Sequence, residues 1–128
     1  MQTTNISHEQ EFFDVIFDGV HEFNLMNEII TRELKLFERG CLINLVETEK
    51  ERFKIRSENY FVMKEFLSKI NFSSEKERFF KLYKSGFLLC TTLSPNLDYF
   101  DCFNREIDAE FIQTLADLKL TFAYTIQV

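Results

Sequence analysis

Structure breakers are scarce in this sequence. Its 128 residues include three glycines and one proline. That leaves no room for a Gly/Pro-rich linker or low-complexity tract, and each breaker is expected near the end of an element. Tryptophan is absent, and there are two histidines and three cysteines. Cys41, Cys90 and Cys102 are odd in number and far apart, which suits buried free thiols in a reducing compartment better than a disulfide framework. His8-Glu9 begins like a zinc-binding HExxH, but Phe12 stands where the second histidine would be, and His21 has no partner nearby in sequence. CxxC, GxxxxGK[ST], GxGxxG and GxSxG are all missing, so no local motif marks a redox, phosphate-binding or hydrolase site. Apolar runs never approach the roughly 20 residues that a membrane-spanning helix needs. The opening MQTTNISHEQEFF has neither the basic nor the apolar region of a secretory signal, so the chain reads as cytoplasmic. Basic residues are also in deficit: 15 Lys and Arg against 21 Asp and Glu give a formal charge of −6. A nucleic-acid binder needs the opposite balance.

Phenylalanine is abundant, with 16 Phe and 4 Tyr in a chain that is 45% hydrophobic. Disorder is thereby disfavoured, and the length suits a single domain, residues 1–128, with the polar residues 1–10 frayed. Phe carries large apolar area and no polar handle, so most rings belong in a core. Sixteen are many for a small domain to hide, so some are expected at an interface.

The clearest stretch is Ile107–Val128. Asp108 is placed to cap a helix whose apolar face holds Phe111, Ile112, Leu115 and Leu118. From Leu120 the period falls to two, with Phe122, Tyr124, Ile126 and Val128 following on one side. Upstream, 11–17 fits a strand with Phe13, Val15 and Phe17 on one face. It also fits a helix with Phe12, Phe13, Ile16, Phe17 and Val20 in a stripe, capped by Ser7 and Gln10. β-Propensity and Gly19 favour the strand, though periodicity leaves both open. Residues 24–39 read as a helix capped by Asn24, with Met26, Ile29, Ile30, Leu34 and Phe37 on its face and Gly40 beyond its end. Strands at 41–46 and 52–56 form a hairpin around ETEKER. A helix after Ser57 buries Val62, Met63, Phe66, Leu67 and Ile70. A short helix follows, with Ser74 and Glu77 as its capping box and Gly86 closing it. Residues 87–93 are apolar enough for a central strand buried on both faces, and 97–103 are strand-like. The order predicts an α+β fold: a mainly antiparallel sheet with helices packed mostly on one face.

Catalytic constellations are hard to assemble. Cys41 and Cys90 lie in apolar runs and read as core, while Cys102 sits beside Asp101, whose charge would raise its pKa and blunt the thiol. Carboxylates are plentiful, including Glu106, Asp108 and Glu110, but nothing marks two as a hydrolase pair. The chain therefore reads as a binder rather than an enzyme, with no cofactor and no metal. Two acidic stretches are candidate partner-binding surfaces. One is Glu47, Glu49 and Glu51 at the hairpin. The other is Asp98, Tyr99 and Asp101, where aromatics interleave with carboxylates.

Residues 86–128 resemble the C-terminal part of a bacterial domain-of-unknown-function family, numbered four-two-seven-nine. The shared pattern is I-[SD]-x-E-F/L-I/L-x-x-L-A-x-L followed by an alternating strand, here Ile107 to Leu118 and then LTFAYTIQV. FFDVIFDGVHEFNLMNEIITREL resembles the family's opening strand, glycine and helix. Lys119 stands where the family has a glycine after the terminal helix, and its Pro/Trp-containing connection after the first helix is absent. Such domains are similar in size and character to immunity proteins. The resemblance implies a cytosolic protein that binds and neutralises a cognate toxin domain, such as a basic nuclease, by occluding its active site. Two alternatives accompany that reading: a small-ligand-binding regulatory domain with a Phe-lined pocket, and a phage-type inhibitor of a host defence nuclease.

Overall fold

A computed structural model of the chain describes residues 10–33, 42–93 and 107–127. Among these described residues five strands form one sheet: β1 (Gln10–Asp18), β2 (Leu42–Glu47), β3 (Arg52–Ser57), β4 (Ser85–Leu93) and β5 (Thr121–Gln127), in the order β2-β3-β1-β4-β5. β1 is antiparallel to both β3 and β4, β2 is antiparallel to β3, and β4 and β5 run parallel. Four α-helices accompany the sheet: α1 (Phe23–Glu28), α2 (Tyr60–Asn71), α3 (Lys76–Phe80) and α4 (Ala109–Asp117). A π-helical turn, Ile29–Glu33, extends α1. The α+β class and mainly antiparallel sheet expected from the sequence are therefore present.

Pleat and register place Phe13, Val15 and Phe17 of β1 on the same face as Phe53 and Ile55 of β3 and Leu88 and Cys90 of β4. All seven are buried, and they form one core with Met26, Ile29 and Ile30, with Met63, Phe66, Leu67 and Ile70 of α2, and with Phe111 and Leu115 of α4. Helices thus cover this face. Rings link the layers, since Phe13 lies 5.7 Å from Tyr60, and Tyr60 lies 5.2 Å from Phe111. A second set joins Phe17 to Phe79 of α3 and to Tyr83, whose phenol is pushed up in pKa by burial.

Between the strand and the helix that residues 11–20 allow, the structure takes the strand as far as Asp18, because β1 is the centre of the sheet and both its edges are paired. The apolar run 87–93 is an interior strand as expected, β4 lying between β1 and β5, but it is not buried on both faces: Phe87, Leu89 and Leu93 are half-buried on the outer one. Gly86 does not close α3. It belongs to β4, where an added Cβ would come within 2.7 Å of the Leu120 side chain and 3.2 Å of Phe17. Ser74 and Glu77 form no capping box. α3 starts at Lys76 without a side-chain cap, and the Ser73 hydroxyl instead accepts the Glu75 N–H at 2.9 Å. Asn24 lies inside α1 and does not cap it, whereas Asn59 caps α2 by accepting the N–H groups of Phe61 and Val62. Gln10, expected to be frayed, is instead the first residue of β1, opposite Leu93; the rest of that expected segment, residues 1–9, and the predicted strand at 97–103 lie outside the described residues.

Asp108 caps α4 as expected, accepting the Phe111 N–H at 2.8 Å. Lys64 of α2 donates to the same carboxylate at 2.8 Å and, with that backbone bond, holds its pKa below the usual carboxylate range. Ile112 is 54% exposed, and Thr114 takes its place on the buried face, where 111, 114, 115 and 118 make the i, i+3, i+4, i+7 set. The helix then ends in a Schellman-type turn: Leu120 N–H donates to Leu115 and Lys119 N–H to Ala116. Lys119 holds φ +58°, a left-handed conformation that costs an L-residue about 1 kcal/mol. Lys119→Gly is therefore expected to stabilise the fold by about 0.5–1 kcal/mol, net of a weak contact between Lys119 and the Phe80 ring. Thermal melting should show a rise of about 2–4 °C.

Candidate partner-binding surface

Where β1, β2 and β3 meet at one end of the sheet, three pieces of backbone converge. β1 runs out at Asp18, and Gly19 takes φ +73° to turn the chain. A side chain there would be strained and would collide with Lys84. Val20 then tucks into the core, and its N–H donates to the Glu51 carbonyl at 2.9 Å. The β2–β3 connection is a single 3-10 turn, Thr48–Lys50, closed by Glu51 in the left-handed region at φ +53°. The hairpin is thereby fastened to the loop that leads into α1.

Carboxylates gather at this end. Asp18, Glu22, Glu28, Glu47, Glu49 and Glu51 all lie on these segments. Three are matched by nearby cations. Asp18 accepts Arg52 Nε at 2.8 Å, which raises the guanidinium's pKa; Glu47 lies 3.2 Å from Lys50; Glu28 pairs with Arg32. Glu22 and Glu49 have no Lys or Arg partner among the described residues, and Glu51 faces only His21, at 3.5 Å from Nδ1. Exposure of Glu22, Glu49 and Glu51 leaves a local excess of negative charge aimed at solvent. Beside the hairpin, an open groove of about 690 Å³ runs between His21, Glu22, Glu28 and Thr48, with Phe23 and Leu25 in its lining. Both apolar residues are half-buried and rest on the core.

The hairpin trio Glu47, Glu49 and Glu51 is thus brought together with Glu22, Glu28 and His21. Asp98, Tyr99 and Asp101 lie outside the described residues, as do His8, Cys41 and Cys102. Cys90 is fully buried in the core. Among the described residues no group of three His, Cys, Asp or Glu is placed to hold a metal ion, and no helix is long and apolar enough to cross a membrane.

Sequence reading missed Glu22, Phe23, Leu25 and Glu28 as neighbours of the hairpin. The β1–β3 register, which sets Asp18 opposite Arg52, and the Val20–Glu51 backbone bond, between residues 31 positions apart, bring them there. It also missed two exposed rings on α2. Phe61 is 69% and Phe72 82% exposed, and both line a shallow groove with Lys64, Glu65, Ser68 and Lys69. Their signal was available: 61, 65, 68 and 72 form a stripe opposite the buried 60, 63, 67 and 70. Comparisons with protein-family models, with curated proteins and with solved structures found no match.

Proposed function

We propose that this chain is an immunity-type protein that neutralises a basic toxin domain, such as a nuclease, by docking its acidic end over the toxin's active site. One observation carries the reading: Glu22, Glu49 and Glu51, exposed and without a Lys or Arg partner among the described residues, lie at the end of the sheet where Glu22 lines an open groove with Phe23 and Leu25. Negative charge steers a basic partner and occupies the positions its phosphate-binding groups would fill, while the apolar lining receives an anchoring side chain. The attachment of the hairpin to the α1 loop matters here, because a surface already in its bound shape loses little freedom on docking. A phage-type inhibitor of a host nuclease would use the same physics and differ only in the partner's source.

Co-expression with the toxin domain encoded beside it tests the proposal. Growth should be restored by the wild-type chain, and the pair should co-purify and separate as salt rises. Glu49→Lys with Glu51→Lys should abolish protection while the circular dichroism spectrum stays unchanged. Protection that survives this double reversal would move the binding face elsewhere.

A further inference from the structure

β2 ends the sheet on one side and pairs only with β3 among the described residues, so one row of its backbone groups lacks a strand partner. Natural edge strands are blunted by lysine, proline, bulges or very short length. Positions 42–46, Leu-Ile-Asn-Leu-Val, carry no charge and no proline, and their pairing with β3 is an unbroken six-residue register. Large apolar side chains are also open to solvent on both faces of this strand: Ile43 is 51%, Leu45 39% and Val46 42% exposed. Among the described residues, three such residues on one six-residue strand form a contact surface that no other strand covers.

We infer that this edge is covered by a second copy of the chain, β2 pairing antiparallel with its symmetry mate to join two five-stranded sheets into one. The sequence of β2 selects both the partner and the register. A twofold axis perpendicular to the sheet sets residues of the same face opposite one another, so it must pass through a residue position and not between two. Centred on Asn44, it places Ile43 opposite Leu45 twice on the outer face. On the inner face it places Val46 opposite position 42 twice and Asn44 opposite itself. Every apolar position meets an apolar one, and Asn44, whose amide nitrogen donates to Asn27 Oδ1 at 2.5 Å within its own chain, stands opposite its copy. Centred on Leu45, it would instead set Ile43 against Glu47 twice. The first register is self-complementary, as a closed twofold interface requires.

Charge permits the same arrangement. In the Asn44-centred pairing the two acidic hairpins point in opposite directions, each beginning three residues from the axis. The two Glu47 positions are then about 20 Å apart, beyond the screening length at physiological salt. The acidic ends stay open, so this inference stands independently of the toxin-binding reading. β5, the opposite edge, is a poorer match for β2: it sets Thr121 and Thr125 on the outer face, and a β2–β5 contact would not close and would propagate into larger species.

Six residues per side make a small interface, so a dissociation constant on the order of 10 μM is expected. Sedimentation of the full chain should move from the 15.4 kDa monomer towards twice that mass as concentration rises to about 100 μM. Ile43→Lys with Leu45→Lys replaces two exposed side chains and should hold the chain monomeric with an unchanged melting temperature. In a background with Cys41 and Cys102 replaced by serine, Asn44→Cys should oxidise to a covalent dimer, because directly opposed Cα atoms lie about 5 Å apart. Val46→Cys, four residues out of alignment with its own copy, should not. A wild-type chain that remains monomeric at about 100 μM would overturn the inference. So would a dimer that tolerates both lysines, a dimer that Asn44→Cys fails to cross-link, or assembly beyond two copies.

Discussion

Phe13→Ala is expected to cost about 3–5 kcal/mol, a large share of the stability of a domain this size. Phe13 is fully buried at the centre of β1, paired with Cys90 on one side and Ser57 on the other. Its ring is also the sheet's end of the Phe13–Tyr60–Phe111 chain that reaches α2 and α4. Truncation removes the transfer energy of a whole ring, opens a cavity between two layers and loses an aromatic contact worth about 0.5–1.5 kcal/mol. Denaturant unfolding followed by circular dichroism should show the midpoint falling with little change in slope. A loss below about 1 kcal/mol would mean that the layers are not tied together here.

On the opposite face of the sheet, where Arg56 of β3 meets Asp14 of β1, Arg56→Ala should cost about 2–3 kcal/mol. Asp14 is 2% exposed, and its carboxylate accepts Arg56 Nε at 2.8 Å and a second guanidinium bond at 3.1 Å. This bidentate pairing raises the pKa of Arg56, whose guanidinium also stacks 4.9 Å from the Phe12 ring centre. Removing the guanidinium strands a buried carboxylate. Because the Arg56 side chain is 36% exposed, water recovers part of the loss, and the expected cost lies below that for a fully buried pair. Asp14→Leu with Arg56→Met should come much closer to wild type, since no charge is then left unmatched. The two variants together separate the cost of an orphaned charge from the net worth of the pair.

These two residues also mark what could be read from the sequence. Phe13 was legible because alternation puts it with Val15 and Phe17 on one face, and that face is the core. The Asp14–Arg56 pair was not, because its partners are 42 residues apart and meet only through the β1–β3 register. The last helix and strand were readable because Asp108 caps locally and the apolar period changes at Leu120. Helix starts were misread at α1 and α3, neither of which has a side-chain cap. Ser73 accepts from its own turn, and Asn24 sits one residue inside α1. Lys119 hid a left-handed turn that a glycine would have announced. For the binding surface, the hairpin carboxylates were visible as a charge run. The groove beside them required the fold, since it is built from the chain after β1 and set beside the hairpin by the β1–β3 register and the Val20–Glu51 backbone bond.

Calorimetric titration of the chain into a candidate toxin domain encoded beside it, at low and at high salt, tests the proposed function most directly. Tight binding that weakens steeply with salt is the expected result. Glu49→Lys with Glu51→Lys should reduce affinity by about 100-fold, while Glu65→Lys on α2 leaves it within about twofold. Salt-insensitive binding, or a double reversal that binds like wild type, would contradict the assignment of the acidic end as the toxin-binding face.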